Sequence, residues 1–373
     1  MKLETIAVHA GSKVDPETGA VAPPIHLSTT YEHGPAAEEI HGYLYIREGN
    51  PTQARLEEAL AALEGGEGAL AFASGVGAGT ALAQAIGAGS HIIFPDDMYV
   101  DFRNLARDFL LGWGMQSDEV NMQDAAGVAR AFKPNTKLLW LETPSNPLMK
   151  IVDIVALVKL AHGRGALVVV DNTFGTPVLQ RVLDLGADFA LHSTTKYFGG
   201  HSDVQGGALI AKRKDEVFKK LMYVRQVTGG VASPFNSWLV LRGIRSLACR
   251  VQKHSENGMA LAQALSKSKA ISAVHYPGLP THPGHEIAKR QMSGFGGMLS
   301  IQLKGGRDAA LKTTSRVKLF TVATSLGGVE SLIEHRASSE GKSSKAPDDL
   351  LRISVGLEDA GDLIADLEQA LRG

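Results

Sequence analysis

One lysine in this chain is placed for nucleophilic chemistry. Lys196 lies in the run Phe189-Ala190-Leu191-His192-Ser193-Thr194-Thr195-Lys196-Tyr197-Phe198-Gly199-Gly200, where an apolar stretch gives way to hydroxyl residues, an aromatic pair and a glycine turn. An ammonium at the mouth of a buried element is short of water, which lowers its pKa and frees an amine able to trap a carbonyl. Ser193 and Thr195, two residues apart, point the same way if the strand runs on through them, and their hydroxyls suit an anion. A carbonyl trap beside a phosphate site is what pyridoxal 5′-phosphate needs. A solvated lysine at a strand end is the plainer alternative, and the polar residues at the ends of other apolar runs decide between the two.

Those residues converge on one kind of ligand. Ser74-Gly75-Val76-Gly77 follows the apolar run 69–73 and opens a helical pattern. Its backbone N–H groups and the helix dipole can therefore hold a phosphate, although a simple tight turn reads the same way. Asp171 ends the run Leu167-Val168-Val169-Val170; a carboxylate there is costly unless it meets a cation, such as a protonated ring nitrogen, or caps a helix. Asn146, in Glu142-Thr143-Pro144-Ser145-Asn146-Pro147, can bond a ring oxygen or serve a turn. Tyr99 can stack on a flat cofactor or simply pack. Arg352, inside Leu350-Leu351-Arg352-Ile353-Ser354-Val355, needs a planar anion, which is either a substrate carboxylate or a structural ion-pair partner. Tyr45 and Arg47 alternate on one face of an extended segment and can reach a phosphate, in a neighbouring subunit's site. No metal is expected: His282 and His285 sit in a Pro/Gly loop without a supporting cluster, and the lone Cys249 reads as core.

The elements that position these residues follow from periodicity. Asn50-Pro51 caps a helix carrying Leu56, Leu60 and Leu63 until Gly65-Gly66 stop it. Apolar runs at 69–73, 91–94, 138–141, 166–170, 189–191 and 208–211 alternate with helical patterns near 76–87, 98–111, 153–163 and 176–185, which predicts a mostly parallel sheet covered on both faces. After Ser233-Pro234 come a helix over 235–265 with a break near Gly243, strands at 298–303 and 351–355, and a closing helix over 359–371. The polar stretch 338–349 reads as a mobile loop. The expected organisation is α/β: a turn-rich arm over 1–48 that wraps a neighbouring subunit, a large domain over 49–234, and a smaller α+β domain over 235–373. A length of 373 residues, 44% hydrophobic and 21% charged, is that of a globular protein. A formal net charge of −1 gives no field for nucleic acid or an anionic membrane. The single cysteine, the polar N-terminus and the lack of an apolar span predict a cytoplasmic protein.

Taken together these motifs closely resemble the Cys/Met-metabolism family of pyridoxal-phosphate enzymes, the trans-sulfuration enzymes among them. The resemblance runs through Tyr45-x-Arg47 with Gly49-Asn50-Pro51-Thr52, the Ser74-Gly75 turn, Asp171-Asn172-Thr173, the Lys196 segment, Ser325-Leu326-Gly327-Gly328-Val329-Glu330-Ser331-Leu332 and the Arg352 strand. It implies fold type I of the pyridoxal-phosphate transferases, and a homotetramer built as a dimer of dimers. It implies that Lys196 holds the cofactor and moves protons, that Asp171 pairs with the ring nitrogen, and that Tyr99 stacks and assists deprotonation. Gly75, Val76, Ser193 and Thr195 would hold the phosphate with Tyr45 and Arg47 of the adjacent subunit. Arg352 would bind the α-carboxylate of a small amino-acid substrate, supported by Ser325 and Asn146. Two departures stand out: Val100-Asp101-Phe102-Arg103 replaces the family's usual turn after Tyr99, and the segment after Glu334-His335-Arg336 lacks the Met-Thr-His run. Glu330 resembles the acidic residue of the cystathionine-handling members, and Glu48 stands where synthases taking O-succinylhomoserine often have a basic residue. Two carboxylates at the side-chain end repel an acidic tail and attract a distal ammonium. The expected reaction is therefore γ-elimination on cystathionine to cysteine, 2-oxobutanoate and ammonia. The alternatives are cystathionine γ-synthase chemistry, then homoserine sulfhydrylase or methionine γ-lyase chemistry.

Overall fold

Asn50 starts the first long helix as its sequence predicts: the side-chain oxygen accepts from the N–H groups of Thr52 and Gln53, and Pro51 occupies the first turn. Helix α1 (Leu3–His9) precedes it, and α2 (Pro51–Glu64) buries Leu56, Leu60 and Leu63 before Gly65, at φ 74°, ends it. The computed structural model describes residues 1–372; Gly373, the last residue of the expected C-terminal domain, lies outside the described residues.

Seven strands follow: β1 (Gly68–Phe72), β2 (His91–Pro95), β3 (Gln116–Val120), β4 (Thr136–Glu142), β5 (Leu167–Asp171), β6 (Phe189–His192) and β7 (Gly207–Ala211). They form one sheet in the order β1-β7-β6-β5-β4-β2-β3. The pairs from β3 through β6 are parallel, and β7 runs antiparallel to both β6 and β1. Strands β1, β2, β6 and β7 are buried along their whole length, so both faces are covered and their sequences read as continuous apolar runs. Helix α3 (Gly75–Ile86) leaves β1 through the cap Ser74, whose hydroxyl accepts from Gly77 N–H.

A second, smaller sheet holds β8 (Ile271–His275), β9 (Met298–Leu303), β10 (Thr321–Val322), β11 (Leu332–His335) and β12 (Leu350–Ser354) in the order β10-β11-β12-β9-β8. It is antiparallel except for the β10–β11 pair. Its own core of Leu261, Leu265, Leu299, Ile301, Ile333, Ile353 and Leu367 joins the helices Leu247–Leu265 and Ala360–Leu371 to the sheet.

The long helix is broken beside Gly243 as expected, into Pro234–Ile244 and Leu247–Leu265. Several other expectations are corrected. The helix expected over 176–185 is the single turn Thr176–Leu179, because the Asn172 side chain donates to Gln180 O and the chain leaves helical geometry there. The helix expected over 98–111 is α4 (Val100–Leu105) followed by a π turn, Ala106–Leu110. The polar stretch 338–349 begins in the helix Arg336–Glu340 and is tied down by Lys345 to Glu119, Arg307 to Asp348 and His335 to the Asp348 carbonyl. The N-terminal arm partly packs on its own chain. Ala7 is buried, Trp238 Nε1 donates to Pro23 O at 2.9 Å, and Asn50 Nδ2 donates to His26 O at 2.9 Å. Between these anchors Val14, Val21, Leu27 and Ile40 stay exposed. Cys249, expected in the core, is exposed.

Candidate active site

The carboxyl ends of the parallel strands open onto a cavity of about 510 Å³, lined also by Arg352 of the second sheet and by Thr324, Ser325, Leu326 and Arg336 from the segments around it. Lys196 reaches into it from the turn after β6. Its Nζ donates to Ser325 Oγ at 2.8 Å. Burial, with the charge of Arg352 next, lowers its pKa to about 8, so a useful share of the amine is free near neutrality. Ser325 holds φ 105°, a backbone region that costs a non-glycine residue about 1–3 kcal/mol. The strain is retained where the serine meets the lysine.

Ser193 and Thr195 both line the cavity, though not by the expected route. Strand β6 stops at His192 and a turn carries both residues. Thr173 Oγ1 accepts from Ser193 N–H at 2.9 Å, and Thr195 Oγ1 both accepts from Gly206 N–H and donates to Gly206 O. Gly75 and Val76 face them from the first turn of α3, where backbone N–H groups have no helical acceptor. A Cβ on Gly75 would come within 2.9 Å of Ser193 Cβ, so the approach of these two segments requires glycine.

Asp171 ends β5 with its carboxylate in the cavity, accepting from Thr173 N–H at 3.0 Å. It has no ion pair among the described residues, and burial raises its pKa. Its register neighbour Glu142 is pushed well above the usual carboxylate range, by burial first and by Asp171 next. Two adjacent buried carboxylates facing a cavity are a place for a cation.

Tyr99 begins α4, with Glu142 accepting from its N–H at 2.9 Å. Its ring meets Phe102 edge-on at 6.1 Å, and its hydroxyl donates to Asp101 Oδ2 at 2.8 Å. Burial and that bond push its pKa to about 12, so it enters the site as a phenol holding its proton.

The second sheet supplies Arg352, buried on β12. Its Nη1 donates to Asn146 Oδ1 at 3.1 Å, and its Nη2 donates to Ser325 O at 3.1 Å and to Glu334 Oε2 at 2.8 Å. Burial, with Arg336 beside it, lowers its pKa to about 10. Arg352 thus has a structural anion, and it also lines the cavity. Asn146 serves as its support.

Sequence reasoning gave Arg336 no role, yet it lines the cavity at 3% exposure. Its Nη1 donates to the same Glu334 Oε2 at 2.8 Å, and its Nη2 to Glu340 Oε1 at 2.6 Å. An arginine directly after the strand Leu332–His335, two residues after one glutamate and four before another, was the available signal.

Other predicted residues lie elsewhere. Glu330 is not among the cavity-lining residues; it is half-buried and accepts from the Ser202 hydroxyl. Glu48 borders a different depression, alongside α2 and the helix Glu216–Thr228. Tyr45 and Arg47 are also outside the cavity. Tyr45 pairs with Thr30, while Arg47 sits in a turn and not on a shared extended face, with its guanidinium over the Tyr45 ring and bonded to Gln226 O at 3.2 Å. Asp101 lines the cavity, but Arg103 does not; it donates to Asp96 O and pairs with Glu119. Among the described residues there is no His/Cys/Asp/Glu group able to hold a metal, and no helix is long and apolar enough to cross a membrane.

Pyridoxal phosphate fits these residues. The unpaired Asp171 carboxylate suits a ring N–H⁺, the Lys196 amine suits its aldehyde, and the Gly75–Val76 turn with Ser193 and Thr195 suits its phosphate. Comparisons with known proteins agree. The family model described as Cys/Met metabolism PLP-dependent enzyme matches residues 4–372. Cystathionine gamma-synthase of Mycobacterium tuberculosis is 48% identical over 98% of this chain and 96% of its own. Cystathionine gamma-lyase of Bacillus subtilis is 42% identical over 100% of this chain and 99% of its own. The crystal structure of metB from Corynebacterium glutamicum superposes with a TM-score of 0.97 at 43% identity, covering 100% of this chain and 98% of that one.

Proposed function

Since the chain belongs to the Cys/Met-metabolism family of PLP-dependent enzymes and is a trans-sulfuration enzyme, we propose that its reaction is γ-replacement, making cystathionine from an O-acylhomoserine and cysteine. The Cγ–O bond breaks and the acyl group departs as a carboxylate. A Cγ–S bond forms to the cysteine sulfur, and the thiol proton is released. The observation that carries this choice is the position of Glu330, one of the two acidic residues on which γ-elimination rested. Glu330 does not line the cavity and is held by the Ser202 hydroxyl, so the repulsion of an acidic acyl tail expected from it falls away. The named γ-synthases among the relatives, at 48% identity, point the same way.

Bound pyridoxal phosphate supplies an electron sink for charge developing on the substrate carbons. The protein's part follows from its own groups. Asp171 keeps a proton on the ring nitrogen. Lys196 Nζ, oriented by Ser325 Oγ and near its own pKa at neutrality, takes and returns protons at the substrate carbons. Arg352 grips the α-carboxylate, with Asn146 orienting the guanidinium. Tyr99 packs beside the reacting atoms as a neutral phenol. We assign Tyr45 and Arg47 to the phosphate of a neighbouring subunit in a homo-oligomer. Their exposure, with that of Leu27, Ile40 and Tyr223, supports a partner there.

One observation favours γ-elimination as a second reading. The Asp101 carboxylate lines the cavity beside Tyr99, where it could hold a distal ammonium. The test is a comparison with purified holoenzyme: cystathionine formed from O-succinylhomoserine or O-acetylhomoserine with cysteine, against 2-oxobutanoate released from cystathionine. Faster cystathionine formation supports γ-replacement. Cystathionine cleavage well above its synthesis overturns that reading in favour of elimination.

A further inference from the structure

Arg352 has no free pair of parallel donors to offer a substrate carboxylate as it stands. A guanidinium grips a carboxylate through two parallel N–H groups. The Nη2 of Arg352 carries two hydrogens, and both are engaged, one on Ser325 O and one on Glu334 Oε2. Nη1 gives one of its own to Asn146, and the two donors that remain, the Nε hydrogen and the second Nη1 hydrogen, do not point the same way. An incoming carboxylate must therefore displace a partner, and Glu334 is the only anionic one. Releasing Glu334 would leave a carboxylate at 5% exposure short of a cation, which is a severe cost in a dry site.

The structure provides a second cation for that moment. Arg336 Nη1 already sits 2.8 Å from the same Oε2 atom, so one oxygen is shared by two guanidiniums. The Arg336 Nε is buried and has no hydrogen-bond partner among the described residues, leaving a donor in reserve. Glu340 fixes the far side of the guanidinium at 2.6 Å, and Thr324 Oγ1 donates to the other oxygen of Glu334 at 2.7 Å. We infer that Arg336 is a positioning residue for substrate binding. It takes over Glu334 when the α-carboxylate occupies Arg352, so that the cavity exchanges one ion pair for another and never holds an orphaned charge. The inference rests on the assignment of the α-carboxylate to Arg352 and applies equally to replacement and elimination.

The test is a set of variants of the holoenzyme, with KM and kcat measured for O-succinylhomoserine with cysteine and for cystathionine cleavage, whichever turns over. Glu340→Gln alone is the reference. Arg336→Met with Glu340→Gln leaves Glu334 to Arg352 alone; KM should rise about tenfold or more, with kcat within about threefold of the reference. Adding Glu334→Gln removes the competitor and should return KM to within about threefold of the reference. An unchanged KM in the double variant overturns the inference, and so does a raised KM that Glu334→Gln fails to restore, since that is how a direct substrate contact or a lost structural prop would behave. If the double variant does not fold, Glu334→Gln in the otherwise native chain decides instead: a lower KM supports the exchange and a higher one overturns it. Arg352→Lys separates the premise. If it leaves KM unchanged, the carboxylate binds elsewhere and the inference falls with that assignment.

Discussion

Replacing Lys196 with methionine should make the cofactor-free protein more stable at neutral pH while abolishing its chemistry. At neutral pH the native side chain is an ammonium forced into a mostly dry cavity. In the folded chain Lys196 titrates at about 8, against 10.5 for a free lysine, chiefly because of burial. Below pH 8 both states are protonated and the folded state carries the full penalty, about 3 kcal/mol. Between pH 8 and 10.5 the unfolded chain holds the proton more often than the folded one, so the penalty shrinks as pH rises, to about 2 kcal/mol at pH 9. Methionine removes the charge but also the bond to Ser325, which offsets about 1 kcal/mol. The net gain is then about 2 kcal/mol at pH 7 and about 1 kcal/mol at pH 9. Denaturant unfolding of the two apoproteins at both pH values measures it. A variant that is no more stable than the parent at pH 7, or whose gain grows with pH, would refute the desolvated-lysine argument.

Borohydride treatment of the holoenzyme should fix the cofactor on Lys196, as peptide mapping will read, and Lys196→Ala should lose turnover by several orders of magnitude. Gly75→Ala should push Ser193 away from the phosphate turn and raise the cofactor Kd about tenfold by equilibrium dialysis; unchanged affinity would mean the phosphate lies elsewhere. Mixing inactive Lys196→Ala with inactive Arg47→Ala subunits should restore part of the activity if Arg47 completes a neighbour's site. No recovery after demonstrated subunit exchange would show that each chain completes its own.

What was legible in the sequence were residues whose placement is costly without a reason. Asp171 at the end of an all-apolar strand and Lys196 at the mouth of another could be read as site residues because burial of a lone charge needs a partner, and both line the same cavity. The strands buried on both faces were legible as continuous apolar runs. Strand β3, Gln116-Ser117-Asp118-Glu119-Val120, was not, because an edge strand can be polar and still pair. Glu330 lies outside the cavity because a motif fixes a residue's position along the chain and not the direction of its side chain. The direction here is set by Ser202, 128 residues away. Arg336 escaped because its value depends on Arg352 sharing one oxygen of Glu334, a coincidence between two strands that no spacing announces.

The break between the two long helices reaches further than the helices. Gly243 has no room for a side chain, because a Cβ there would collide with the carbonyls of Phe198 and Gly199, in the turn that carries Lys196. Arg250, one turn along the next helix, donates at 2.7 Å both to the Tyr197 carbonyl and to the Gly243 carbonyl, stitching the same two backbones together. The lysine turn and the helix junction are thus one mechanical body. A displacement of the helices after Ser233 would carry the amine with it, and the tolerance for error in the position of the nucleophile is set by a contact with no chemistry of its own.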